Sequence, residues 1–216
     1  MVLMKESTLQ SRTRGFAGVP ALFFIFCGIA VALLGGAEAG VTKVVKNGDG
    51  SYGLTHDGAA YFLKGGGVDS SLSTSAYLQA IKDAGGNSVR TWGAASDPQT
   101  YDRAQALGLT VCAGLWISKP GEISYANAAQ VKEQHDRLLA YVNTYKNHPA
   151  IAIWSIGNEY EGGADANVWN AVQQLAASIK AADPNHPTST VWAMITKSKM
   201  DAVKTYCRAD GIYLPR

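Results

Sequence analysis

His148-Pro149-Ala150-Ile151-Ala152-Ile153-Trp154-Ser155-Ile156-Gly157-Asn158-Glu159 is the stretch on which the fold turns. From Ala150 to Ile156 the run is apolar almost throughout, of strand length, and lacks the alternation of a half-exposed strand. That pattern belongs to a parallel strand covered on both faces. The run breaks at Gly157 and gives way at once to an amide and a carboxylate. In parallel α/β folds ligands bind at the C-terminal edge of the strands, so Asn158 and Glu159 stand where chemistry is done. A carboxyl group partly withdrawn from water against aromatic neighbours is expected to have a raised pKa and to donate a proton near neutral pH. Asn158, with donor and acceptor capacity, suits a substrate hydroxyl. On position alone, a carboxylate that caps the next helix or pairs with a base accounts for Glu159 equally well.

Working outward, strands and helices alternate. A helix over 74–84, closed by Gly85-Gly86, precedes a strand over 88–92. A helix from Pro98 to Leu107, with Pro98 in its first turn and Gly108 as its cap, precedes a strand over 109–116. A helix over 128–145 leads into the central run, and one over 167–182 ends at Asp183-Pro184 before a strand over 188–193. A last helix over 199–206 leads to Asp210-Gly211-Ile212-Tyr213. Upstream, Val41–Leu63 alternates around Asn47-Gly48-Asp49-Gly50 and Asp57-Gly58, an N-terminal β-hairpin feeding a strand at Tyr61–Lys64. Gly65-Gly66-Gly67 then reads as a tight βα turn. Five parallel strands and the start of a sixth result, which an open doubly wound sheet or a barrel would satisfy. The triple glycine lacks the spacing of a phosphate-binding loop, which removes support from a nucleotide-binding doubly wound protein.

Residues 1–39 have the layout of a secretory signal peptide. The head carries Lys5, Arg12 and Arg14, residues 15–37 hold no charge, and Ala37-Glu38-Ala39 is a small-x-small cleavage pattern. The expected location is therefore extracellular, with a membrane anchor through residues 15–37 as the alternative. Of the 19 basic and 17 acidic side chains, three and two lie in that segment, so residues 40–216 are near neutral. A balanced surface argues against nucleic acid and anionic membranes as partners and favours an uncharged substrate. Cys112 and Cys207 are too few for a disulfide framework; Cys112, inside an apolar run, reads as a buried thiol, and a single bridge stays open. His56, His135, His148 and His186 are scattered, so neither a metal nor any cofactor is expected.

Three segments beside the Asn-Glu string extend its meaning: Tyr61-Phe62-Leu63-Lys64-Gly65-Gly66-Gly67, Gly86-Asn87-Ser88-Val89-Arg90-Thr91-Trp92, and Leu107-Gly108-Leu109-Thr110-Val111. Together with that string they resemble strands one to four of the clan-A glycoside hydrolases, nearest the barrel domain of family two and more loosely the fungal-type glucanosyltransferases. The resemblance runs from about Lys43 to the C-terminus. It implies a partial (β/α)8 TIM barrel of about five to six βα units over 40–216, with Glu159 as the acid/base of a retaining glycosidase acting on a β-linked oligo- or polysaccharide. It implies Asn158 and Arg90 as substrate-site residues, Arg90 positioning the nucleophile, and Trp92 as a sugar platform. Sugars pack their C–H faces on aromatic rings, which makes Trp116 and Trp192, near strand ends, platform candidates too, while Trp154 reads as core. Tyr160 could line the cleft, and Glu161 reads as a solvated loop carboxylate.

Retention needs a second carboxylate about 5 to 5.5 Å from the first, which the family carries on strand seven. Neither Glu122, Asp201 nor Asp210 matches that place. The sequence thus leads to the expectation of a C-terminally truncated catalytic domain, inactive alone; the alternatives are a non-catalytic carbohydrate-binding remnant and a glucan transglycosylase.

Overall fold

Three consecutive glycines form the first strand of the main sheet. The structure, a computed structural model, describes residues 40–69, 74–95, 97–160, 163–207 and 212–213; the signal or anchor assigned to 1–39 lies outside them. Strands β1 (Thr42–Lys46), β2 (Tyr52–His56) and β3 (Ala59–Tyr61) make an antiparallel sheet in that order. The two-residue turn between β2 and β3 is Asp57-Gly58, both with positive φ, 50° and 79°, the geometry that matches the twist of adjoining strands. Where the sequence predicts a two-stranded hairpin and then a parallel strand at 61–64, the structure closes a third antiparallel strand and starts the parallel sheet later, at β4 (Gly65–Val68). Two of the three glycines are there for room. A Cβ on Gly65 would lie 1.6 Å from the Ser88 carbonyl oxygen, and one on Gly67 would lie 1.9 Å from the Trp92 ring.

β4 is followed in space and in sequence by β5 (Ser88–Thr91), β6 (Thr110–Leu115), β7 (Ile151–Ile156), β8 (Thr188–Thr190) and β9 (Ile212–Tyr213), all parallel. The crossovers contain α1 (Ser75–Asp83), α2 (Gln99–Ala106), α3 (Ala128–Tyr145), α4 (Ala166–Ala182) and α5 (Lys197–Tyr206). Strand order never reverses, as in a barrel wall and unlike a doubly wound sheet. Thr74, Asn127, Asp165 and Thr196 each accept a backbone N–H at the start of α1, α3, α4 and α5. Pro98 precedes α2 as its cap residue and supplies no side-chain bond.

Each strand buries two chemistries. One face joins the helices in a core that includes Val89, Val111, Ala113, Leu115, Trp154, Ile156, Leu138, Val142, Leu175 and Ile179. The other face carries Cys112, Ala152 and Ile153, packed with Leu54, Val44, Tyr61 and Leu63 of the antiparallel sheet and the segment after it. A β-bulge decides the partition: Val111 pairs Ile151 but Cys112 pairs Ile153, leaving Ala152 as the extra residue. Past it Trp154 and Ile156 join the helix-side core, and Ser155 meets Ser189 across the strands, Oγ to Oγ 3.2 Å. Cys112 and Cys207 are free and buried, so the single bridge left open by the sequence is not formed.

Candidate active site

On the face away from the helices, alternate residues of neighbouring strands converge. Ser88 and Arg90 on β5, Cys112 and Gly114 on β6, Ser155 on β7 and Ser189 on β8 are small or polar. Ser88 Oγ and Cys112 Sγ are 3.9 Å apart. Gly114 is needed here, because a Cβ would come within 2.6 Å of Thr91 and Trp92 backbone atoms. The floor is therefore low, and Arg90 stands on it. Its guanidinium donates through Nη2 to Asn158 Oδ1 at 2.5 Å and lies over the Trp92 ring, 4.8 Å from the centroid. Nε of Arg90 is buried without a hydrogen-bond partner among the described residues. Burial lowers the Arg90 pKa from its ordinary value, opposed by the charges of Cys112 and Glu159; an arginine so shifted still holds its proton.

The turn after β7 orients the pair. Gly157 donates to Leu115 O at 2.7 Å and Glu159 donates to Val191 O at 3.1 Å, tying the turn to both neighbouring strands. Gly157 and Glu159 both have positive φ, 77° and 51°. For a residue with a Cβ that region costs roughly 1–2 kcal/mol, and strain of this kind collects at functional sites. The consequence is a split of directions: Tyr160 is buried at 1% exposure, while Glu159 is exposed. Thr190 Oγ1 donates to Ile156 O, so it accepts from the Tyr160 hydroxyl at 2.8 Å. Tyr160 is thus an anchor rather than part of the cleft lining, and burial raises its phenol pKa.

The burial expected of Glu159 is not found, because its side chain stands in solvent; it makes no ion pair with the described residues. Asn158 is half-buried, with its acceptor spent on Arg90 and its amide NH2 left as the donor end. The structure brings Arg90, Trp92, Asn158 and Glu159 to one strand edge. Trp116 sits beside them, its Cβ 3.2 Å from where a Cβ of Gly93 would be, and is 38% exposed. Trp192 stands just beyond β8 and is partly buried. It packs edge to face on Trp169 of α4, centroids 5.9 Å apart, against the helix-side core. Trp154 is fully buried, its Nε1 donating to Asp183 Oδ2 at 2.7 Å. Glu161 and Asp210 lie outside the described residues. Ser155, Ser189 and Gly114 were not singled out by sequence; the period of two in Ser88-Val89-Arg90-Thr91-Trp92 is the signal that could have found such a floor on β5, and the bulge hides it on β7. Among the described residues no group of three or more metal-ligating side chains occurs.

Residues 56–210 match the glycosyl hydrolases family 2, TIM barrel domain. The chain belongs to glycoside hydrolase family 2. A Formosa agariphila protein named as a β-glucuronidase is 30% identical over 119 residues, 52% of this chain and 14% of that protein. A Photobacterium profundum β-galactosidase is 32% identical over 105 residues, 47% of this chain and 10% of the other. The chain therefore spans a small fraction of the length of the curated family 2 relatives it matches. A family 2 structure from Bacteroides cellulosilyticus superposes with a TM-score of 0.61 at 20% identity, covering 77% of this chain and 23% of that one, a likeness of fold.

Proposed function

We propose that this chain is part of the catalytic barrel of an exported retaining β-glycosidase, with Glu159 as its acid/base. One observation carries the reading: at the edge of the fourth parallel strand, a strained turn presents Glu159 to solvent while Arg90 fixes its neighbour Asn158. Glu159 would protonate the glycosidic oxygen as the bond to the leaving group breaks, then take the proton of the incoming water. The amide NH2 of Asn158 would bind a hydroxyl of the sugar undergoing reaction, and Trp92, its ring backed by Arg90, would receive a sugar face. The covalent nucleophile is assigned to no residue of this sequence.

The test is Glu159→Gln in the intact gene product. Glycosides with poor leaving groups should lose turnover by roughly 10²–10⁴-fold, the usual worth of acid catalysis. Activated aryl glycosides, which need no proton, should keep their first step. An equal loss on both removes Glu159 from the proton-donor role. For the export reading, N-terminal sequencing of the secreted protein should begin at Gly40.

A further inference from the structure

We infer that Tyr141 of α3, backed by Tyr101 of α2, is a positioning residue for saccharide binding, whose hydroxyl fixes the segment carrying Trp92 from behind the barrel wall. This rests on the glycosidase reading above and adds to it a residue that touches no substrate. The segment runs from Trp92 to Ala95, between β5 and α2. At its start the sheet holds it, with the Trp92 ring against Gly67 and beneath the Arg90 guanidinium. At its end Ala95 N–H donates to the Tyr141 hydroxyl at 2.8 Å, and that hydroxyl shares a second hydrogen bond, 2.6 Å long, with the Tyr101 hydroxyl.

The helix is built to deliver that hydroxyl. α3 follows β6 and returns from the site edge, so side chains that lean toward its N-terminus lean toward that edge. Gln134, Leu138 and Tyr141 follow one another at helical spacing. Leu138 packs in the core, and each polar member holds a loop. Gln134 Oε1 accepts from Ser118 N–H at 2.6 Å in the segment after β6, and Tyr141 serves the segment after β5. The tyrosine rings are fixed without their hydroxyls: the Tyr145 ring lies 5.1 Å from Tyr101 and 4.7 Å from Tyr141, centroid to centroid, and Tyr101 is fully buried. Burial raises the pKa of both bonded phenols, so the pair stays protonated and uncharged. Core packing alone needs only rings here, which phenylalanine would supply; the oxygens are explained by the N–H they meet. Ala95 and Trp92 belong to one short segment. Freeing its far end loosens the indole, and a sugar that packs on that ring must then reorder it on binding.

The experiment compares the full chain with Tyr141→Phe and Tyr145→Phe. Affinity for β-linked disaccharides of glucose, galactose and glucuronate is measured by calorimetry. The near-ultraviolet dichroism of Trp92 is isolated by subtracting the spectrum of Trp92→Phe. Tyr141→Phe should weaken the best-bound disaccharide about threefold to tenfold, the worth of one hydrogen bond, and should reduce the Trp92 signal in the absence of sugar. Tyr145→Phe, which shares the cluster but not the bond to Ala95, should leave both readings where they were even if it lowers the melting temperature. Unchanged affinity or an unchanged Trp92 signal in Tyr141→Phe, or an equal loss in Tyr145→Phe, overturns the inference and leaves the glycosidase reading standing. If Tyr141→Phe does not fold, Tyr101→Phe, one hydrogen bond further from the loop, is measured in its place and judged by the same two readings. Binding of no disaccharide by the parent overturns both.

Discussion

The two faces of the parallel sheet are built from alternate residues of the same strands, yet follow opposite rules. The helix side is a dry interlock in which Trp154, Trp169, Leu138, Val142 and Ile179 are at most 1% exposed. The other side is a shallow floor of Ser88, Cys112, Gly114, Ser155 and Ser189, with a charged Arg90 whose Nε lacks a partner among the described residues. Close packing on the first face supplies the stability that unsatisfied and strained groups on the second give up. The difference teaches where to look for function in an unfamiliar barrel: on the face where small residues replace large ones and a half-buried cation persists.

The contrast can be broken most severely at Trp154. Trp154→Ala should cost about 3–5 kcal/mol, since it opens a cavity and removes a hydrogen bond to Asp183; urea unfolding that finds less than about 1 kcal/mol would mean the helix side is not the stabilising layer. Gly67→Ala is next, at about 1–3 kcal/mol for overpacking, because its Cβ must displace the Trp92 ring. That variant should also change the Trp92 near-ultraviolet signal, and an unchanged spectrum would contradict the placement of β4.

Acid sharpens the comparison from the helix side. Burial alone would raise the Asp183 carboxyl, but His186, Trp154 and Asn185 hydrogen-bond it and hold its pKa below the ordinary value. A carboxylate with a lowered folded pKa contributes stability above its unfolded value of about 3.9 and loses it as pH falls through the folded one. Stability should therefore decline below about pH 4, and Asp183→Asn should flatten that acid limb. A variant as acid-sensitive as the parent would assign the decline elsewhere. The smallest effect is expected on the opposite face. Arg90→Met should shift unfolding free energy by less than about 1 kcal/mol, because losing the bond to Asn158 is offset by removing a desolvated charge, while saccharide binding falls. A large destabilisation with binding intact would make Arg90 a structural residue.

Much of this was legible in the residues. The apolar run ending in Asn158-Glu159 gave the strand and its chemical edge, and helix α3 spans the residues 128–145 that the sequence indicates. The misses share a cause. Gly65-Gly66-Gly67 reads as a turn by conformational preference, yet it forms a strand in which the Ser88 backbone at Gly65 and the Trp92 ring at Gly67, more than twenty residues away, leave no room for a side chain. Tyr160 next to Glu159 suggests the cleft, but two left-handed residues turn it into the core.

By itself the sequence determined the order of strands and helices, the parallel class of the sheet, and the carboxylate at a strand's C-terminal edge, because periodicity, caps and breakers act over a few residues. Only the tertiary structure decided which face each residue of β7 joins, since the bulge at Ala152 arises from pairing with β6. It also decided that Arg90 holds Asn158, which lies 68 residues further along the chain. Those contacts depend on distances between strands, which no local pattern of residues encodes.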